Sequence, residues 1–247
     1  MGTHIPILFS PEMVSAIIAG RKSMTRRILT ERNSRCICKL SELDFTQNLF
    51  KDRSIPNEVF LRVFHPEDYT QQRVHCKFQV GDTLWVKEQH YKFGRWIATG
   101  KLRKNGTPKY KFEAIKKEVR YNNNPPKEFR KSMDTGLSQT EPQWYRRNSL
   151  FMEKKDARLF LQITKIRAER LKDITPDDAI AEGIMRELSN GIYWYKNYLN
   201  PNNFKKEDPI ASFNSLWAAI NGVESLHDNP LVWVIEFTVN NYDKNFL

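Results

Sequence analysis

Leu231-Val232-Trp233-Val234-Ile235-Glu236-Phe237-Thr238-Val239 is the most apolar of three strand-like runs in the chain. Its β-branched and aromatic side chains suit a pleated surface covered on both faces, so the run belongs at the centre of a sheet. The other two are Thr83-Leu84-Trp85-Val86-Lys87-Glu88, opened by Gly81-Asp82, and the stretch from Arg158 to Arg167. Helix signals separate them. Ser10-Pro11-Glu12 supplies a capping side chain, a proline where its missing N–H costs nothing, and an acid at the positive end of the dipole. Met13, Val14, Ile17 and Ile18 follow at helical spacing, which predicts a helix from Pro11 to Ala19 closed by Gly20. Thr175-Pro176-Asp177-Asp178 opens a second helix with Ala179, Ile180 and Ile184 as its apolar stripe; the two acids read as complements to the dipole. Asp208-Pro209 opens a third, with Ile210, Phe213, Leu216, Trp217 and Ile220 facing the core.

Strands and helices without regular alternation, and without an internal repeat, predict a mixed α+β fold around a small sheet or barrel. One domain spanning 1–247 is expected, carrying polar insertions at about 31–79, 92–148 and 187–208 that are rich in Asn, Pro, Lys or Arg. The chain of 247 residues is 40% hydrophobic and 12% aromatic, enough for a filled core, which excludes a disordered or fibrous protein. Its formal charge of +11 favours a polyanionic partner, nucleic acid first. Cys36, Cys38 and Cys76 are too few to staple an extracellular fold, and the apolar runs are too short to span a bilayer. The N-terminus has no signal-peptide pattern. A soluble cytoplasmic protein without membrane contact is the expectation.

The charge is concentrated. Eleven Lys or Arg and three Glu lie between Lys101 and Lys131, a surplus of eight in 31 residues. Lys101, Arg103, Lys104, Lys109, Lys111, Lys116 and Lys117 are candidates for backbone phosphates, with Tyr110, Phe112, Tyr121 and Phe129 interleaved for unstacked bases. A lysine-rich solvated hairpin is the competing reading, because Asn105-Gly106 is a hairpin turn signal.

After the first helix, Gly20-Arg21-Lys22-Ser23-Met24-Thr25-Arg26-Arg27 packs four cations and two hydroxyls into eight residues. Together with Pro6-Ile7-Leu8-Phe9-Ser10, the Gly81 to Glu88 run, Ala157-Arg158, Ile163 to Arg170, Leu171 to Gly183, Leu216 to Asn221 and Asn229 to Phe237, in this order and spacing, it resembles the ASCH superfamily, a PUA-like group. The long phage and prophage members are the most similar in pattern. The resemblance covers about half the chain and leaves the insertions unexplained. It implies a PUA-like pseudo-barrel, a small mixed β-barrel with flanking helices, whose cleft faces RNA or a modified nucleoside. Small bacterial relatives are amidohydrolases that deacetylate N4-acetylcytidine. Their roles fall here on Lys22 as base, Thr25 as nucleophile and Glu182 as acid or orienter.

The chemistry is coherent. A threonine hydroxyl attacks only when a base takes its proton, and a lysine serves if burial or neighbouring cations such as Arg21, Arg26 and Arg27 lower its pKa. Positions 22 and 25 would point to opposite faces of an ideal strand, so Lys22 must lie in the turn before the pleat begins. Trp85 to stack a base, Glu88 to accept from an exocyclic amine and Arg158 for phosphate would complete a nucleotide site. Core packing for Trp85 and mutual pairing for the charged residues are equally available roles. No metal or other cofactor is expected: Cys36 and Cys38 with His65, His75 and Cys76 fit no standard zinc spacing. Nor is there a dinucleotide or P-loop motif. A non-catalytic RNA-binding module and an RNA-cleaving enzyme of the same superfamily stand as alternatives.

Overall fold

A computed structural model describes residues 2–30, 32, 34–36, 50–52, 60–64, 67, 71–130, 141–200 and 208–242. Cys38, His65 and Lys131 lie outside the described residues, as do parts of the three expected insertions. Along the chain run β1 (His4–Leu8), α1 (Pro11–Ile18), β2 (Met24–Ile28), β3 (Ser34–Arg35), β4 (Phe50–Asp52), β5 (Phe60–Phe64), β6 (Gln71–Cys76) and β7 (Thr83–Lys87). They are followed by β8 (His90–Leu102), β9 (Pro108–Tyr121), β10 (Gln143–Arg147), β11 (Leu159–Arg170), α2 (Pro176–Ala181), β12 (Arg186–Ser189), β13 (Ile192–Tyr195), α3 (Pro209–Asn221), α4 (Glu224–His227) and β14 (Leu231–Tyr242). The fold is mixed α+β, mostly strand.

The strands form a five-stranded sheet in the order β1-β7-β11-β14-β2, a four-stranded sheet β3-β6-β5-β4, a three-stranded sheet β10-β8-β9 and the pair β12-β13. No closed barrel forms among the described residues. β1 and β2 are edges of the five-stranded sheet, and closure would need these two short strands, joined through α1, to pair with each other. The most apolar strand, β14, is interior but not the middle strand; that place belongs to β11. No helix of the described residues is long and apolar enough to cross a membrane.

The chain divides into two compact units. The first comprises Met1–Ile5, Ala16–Leu84 and Leu161–Asn240; the second comprises Pro6–Ser15, Trp85–Phe160 and Asn241–Leu247. In the first, β14 pairs antiparallel with β2, setting Ile235 opposite Thr25 and Val234 opposite Arg26. Val232, Trp233, Val234 and Ile235 are fully buried, and the one polar atom of Trp233, Nε1, donates to Ser34 Oγ at 3.0 Å. α2 and α3 close one side of this core through Ala179, Phe213, Leu216 and Trp217. Both helices begin as their caps predict: Thr175 Oγ1 accepts from Asp178 N, and the Asp208 carboxylate accepts from Ile210 N and Ala211 N. Ile220, expected on the buried face of α3, is 53% exposed because the last turn runs past the core.

In the second unit, most of the described part of the stretch read as an insertion at about 92–148 is strand. β8 and β9 form a long antiparallel hairpin whose turn is closed by Arg103 N donating to Thr107 O at 2.8 Å, and β10 pairs on the other side of β8. One face of this sheet holds Trp96, Phe112 and Tyr145 edge to face. The other holds Phe93 against Trp144, with the Lys116 ammonium 4.5 Å from the Phe93 ring centre.

Candidate functional site

The Gly20 to Arg27 segment is folded by the end of α1. The Ala16 carbonyl, left without a helical donor, accepts from the backbone N–H groups of Arg21 and Lys22. The chain then meets the end of α2: Ser23 N donates to Ala181 O, and Lys22 makes an isolated antiparallel bridge with Glu182. Lys22 thus precedes β2, in the turn after Gly20. Its Nζ donates to the Glu182 carbonyl oxygen at 2.8 Å and to Oε2 at 2.7 Å. The ammonium therefore caps the carbonyl end of α2, where the dipole favours a cation, and pairs with the acid that ends the helix. Gly183 makes this approach feasible: it has φ +86°, and a Cβ there would sit 2.7 Å from Lys22 Cβ.

Both partners are enclosed. Lys22 is 2% and Glu182 4% exposed. Burial pulls the Lys22 ammonium below the usual lysine range against the opposing pull of Glu182, and the positive charges of Arg27 and Arg26 act in the same sense as burial. Arg26 does not face solvent. Its guanidinium donates to Glu169, Asp178 and Glu182, so three carboxylates hold it. Arg167 in turn binds Glu169, Asp178 and Glu236. Removing several ions from water is costly, and this network offsets that cost by giving each buried charge a partner of opposite sign.

Thr25 is 2% exposed on β2. Strand alternation puts Met24 and Arg26 on one face and Thr25 and Arg27 on the other. Arg27 nevertheless feels the charges of Lys22 and Glu182, which places that pair within electrostatic reach of the Thr25 face of an edge strand. Arg21 is exposed and donates to the Gly183 carbonyl at 3.1 Å.

The remaining candidates belong to the second unit. Arg158 and Glu88 form a two-pronged pair at 2.8 and 2.9 Å, both buried. The same guanidinium lies 4.0 Å over the Tyr121 ring and donates to Asn123 Oδ1. Mutual pairing is thus the role these two residues take here. Trp85 is half-buried, with the Lys87 ammonium over its ring at 5.5 Å. Lys101, Arg103, Lys104, Lys109, Lys111, Lys116 and Lys117 are all exposed along β8, the turn and β9.

Several participants went unread in the sequence. Asp178 was visible only as a first-turn acid, and Glu169 and Arg167 sit in an ordinary strand pattern; 152 residues separate Arg26 from Asp178, so no local signal joins them. Trp96, Arg146 and Arg147 line a cleft with Arg103, Tyr110, Lys111 and Phe112, and only these last four stood out in the sequence, as part of the basic stretch. Among the described residues no group of three or more His, Cys, Asp or Glu is arranged to hold a metal. No protein-family profile, no curated protein and no solved structure matches this chain.

Proposed function

We propose that this chain is a PUA-like, ASCH-type protein acting on RNA or a modified nucleoside, and that it hydrolyses an amide on a base, as in N4-acetylcytidine. The observation that carries the reading is the enclosed Lys22–Glu182 pair, its lysine three residues before the buried Thr25 in the chain, with the lysine pKa lowered by burial. A lysine that gives up its proton more readily is the base a threonine needs. Thr25 Oγ1 attacks the carbonyl carbon as its proton passes to Lys22. The C–N bond then breaks as Lys22 gives this proton to the leaving nitrogen, directly or by way of Glu182, which frees the lysine again. Water, deprotonated by the same lysine, cleaves the acyl-threonine ester, releasing acetate and restoring the hydroxyl.

A non-catalytic RNA-binding module is the second reading. It is favoured by the charge-balanced network around Arg26, which accounts for Glu182 as a structural partner. The test is to incubate the protein with N4-acetylcytidine and, separately, with single-stranded RNA, following both by chromatography with mass detection against Thr25→Ala. Loss of an acetyl group that requires Thr25 is the expected result. Intact nucleoside with fragmented RNA moves the assignment to a ribonuclease, and no change in either substrate overturns the enzyme reading in favour of the binder.

A further inference from the structure

The second unit contains a cleft of about 720 Å³, within the size range of small-ligand sites. Its walls combine half-buried aromatic rings, Trp96, Tyr110 and Phe112, with the cations Arg103, Lys111, Arg146 and Arg147, and no acidic side chain lines it. The partners of Arg147 set this cleft apart. Elsewhere in the chain Lys22 faces Glu182, Lys92 faces Asp156 and Arg158 faces Glu88. The Arg147 guanidinium instead lies 4.3 Å from the Phe112 ring centre and 4.7 Å from that of Trp96, and no carboxylate among the described residues pairs with it. Burial pulls its pKa below the usual arginine value, with no anion to restore it. The indole Nε1–H of Trp96 is likewise buried without an acceptor. Ring faces recover only part of what a guanidinium loses on leaving water, so a negatively charged ligand with hydrogen-bond acceptors would complement this cleft.

We infer that this cleft binds one nucleotide of a single-stranded nucleic acid, the phosphate taken by Arg147 with Lys111, Arg146 and Arg103, and the base stacking against the aromatic wall of Trp96, Tyr110 and Phe112. A planar base stacks on aromatic rings. Exposed cations at the rim neutralise the phosphate. Lys101, Lys104 and Lys109 continue the positive charge along the β8–β9 hairpin on either side of its turn, which favours a strand over a free mononucleotide. The inference rests on the nucleic-acid reading above but needs none of the Lys22 chemistry, and it gives the strand a binding surface of its own.

The test is fluorescence anisotropy of a labelled single-stranded RNA dodecamer, with cytidine monophosphate as competitor. Wild type is compared with Lys111→Glu/Arg146→Glu and with Phe112→Leu. Lys111 and Arg146 are exposed, so their reversal leaves the core untouched, and circular dichroism confirms that each variant is folded. The expected result is dodecamer binding weakened at least tenfold by the charge reversal and several-fold by Phe112→Leu. Competition by the monophosphate that the same reversal abolishes also upholds the site and assigns it to free nucleotides; absence of competition assigns it to the strand. Wild type that binds neither probe, or a double reversal that binds within twofold of wild type, overturns the inference. Deacetylation without cleft-dependent binding sinks this inference alone, and cleft-dependent binding without deacetylation sinks the hydrolase reading alone.

Discussion

His90 is 1% exposed, with Nδ1 3.2 Å from the Glu88 carbonyl oxygen, and burial lowers its pKa from 6.5 to about 4. Asp156 pulls the other way, while Lys92 and Arg147 add to the lowering. Between about pH 4 and 6.5 the unfolded chain takes up a proton that the folded chain refuses. Stability therefore falls as pH drops through that window, and the loss is complete below it, at about 3 kcal/mol. Urea unfolding at pH 7 and pH 4.5 is expected to show a smaller acid loss in His90→Gln than in wild type. Equal losses would remove His90 as the cause. The raised pKa of Glu88 acts in the opposite sense, but it is present in both proteins and drops out of the difference. Lys22 and Glu182 call for a different measurement. Glu182→Gln leaves a buried ammonium without its counter-charge, for an expected loss of about 3–5 kcal/mol in denaturant unfolding, and Lys22→Met added to it recovers part of that loss. At this scale the sequence singled out Lys22 and Thr25 through a dense, unusual segment, and Glu182 only through the resemblance. It did not disclose that Arg26, read as a source of positive field, is occupied by Glu169 and Asp178, because that pairing exists only once β2, β11 and α2 have met.

Gly94 shows why β8 and β9 were harder to read than the helices. The register of the hairpin shifts between Lys92 and Gly94, and a Cβ at Gly94 would stand 2.2 Å from the Glu113 carbonyl oxygen and 2.7 Å from the Phe112 ring. Only a residue without a side chain lets the two backbones approach there. Gly94→Ala is expected to cost about 1–3 kcal/mol and to lower the thermal midpoint, with amide exchange accelerating first in β8 and β9. Uniform acceleration throughout the second unit would locate the strain elsewhere. Helices α1, α2 and α3 were legible because their ends are written in single residues: Ser10, Thr175 and Asp208 each accept from a first-turn N–H, and Pro11, Pro176 and Pro209 follow them. Strands β7, β11 and β14 were legible because buried faces leave apolar residues in the sequence. Most of the β9 surface is exposed, so Lys116-Lys117-Glu118 breaks any apolar alternation, and Asn105-Gly106 was the one durable sign of a hairpin.

Charge is the property of the whole chain that composition displays without any fold. A balance of +11, with most of the surplus between Lys101 and Lys131, was readable from the sequence, as was the choice between a phosphate track and a solvated hairpin. The structure does form a hairpin, and the choice stands, because a hairpin with exposed lysines is also what a phosphate track looks like before a strand is bound. Closure of the expected barrel was not readable in the same way: it depends on whether two edge strands pair, which no single segment encodes. Salt dependence separates the two readings of the hairpin. Lys109, Lys111 and Lys116 are exposed, and reversing all three to Glu takes the formal charge from +11 to +5 while sparing the core. Each phosphate neutralised on a single strand releases counterions, so log K falls against log salt with a slope of about −0.7 per contact. If these lysines hold phosphates, the triple variant binds single-stranded RNA more weakly at 50 mM salt, and its slope is shallower by about 2, measured by anisotropy across a salt series. A general loss of attraction to a less basic protein would also weaken binding at low salt, but it would leave the slope of the remaining contacts in place. The slope, and not the affinity, therefore decides whether this hairpin touches the strand.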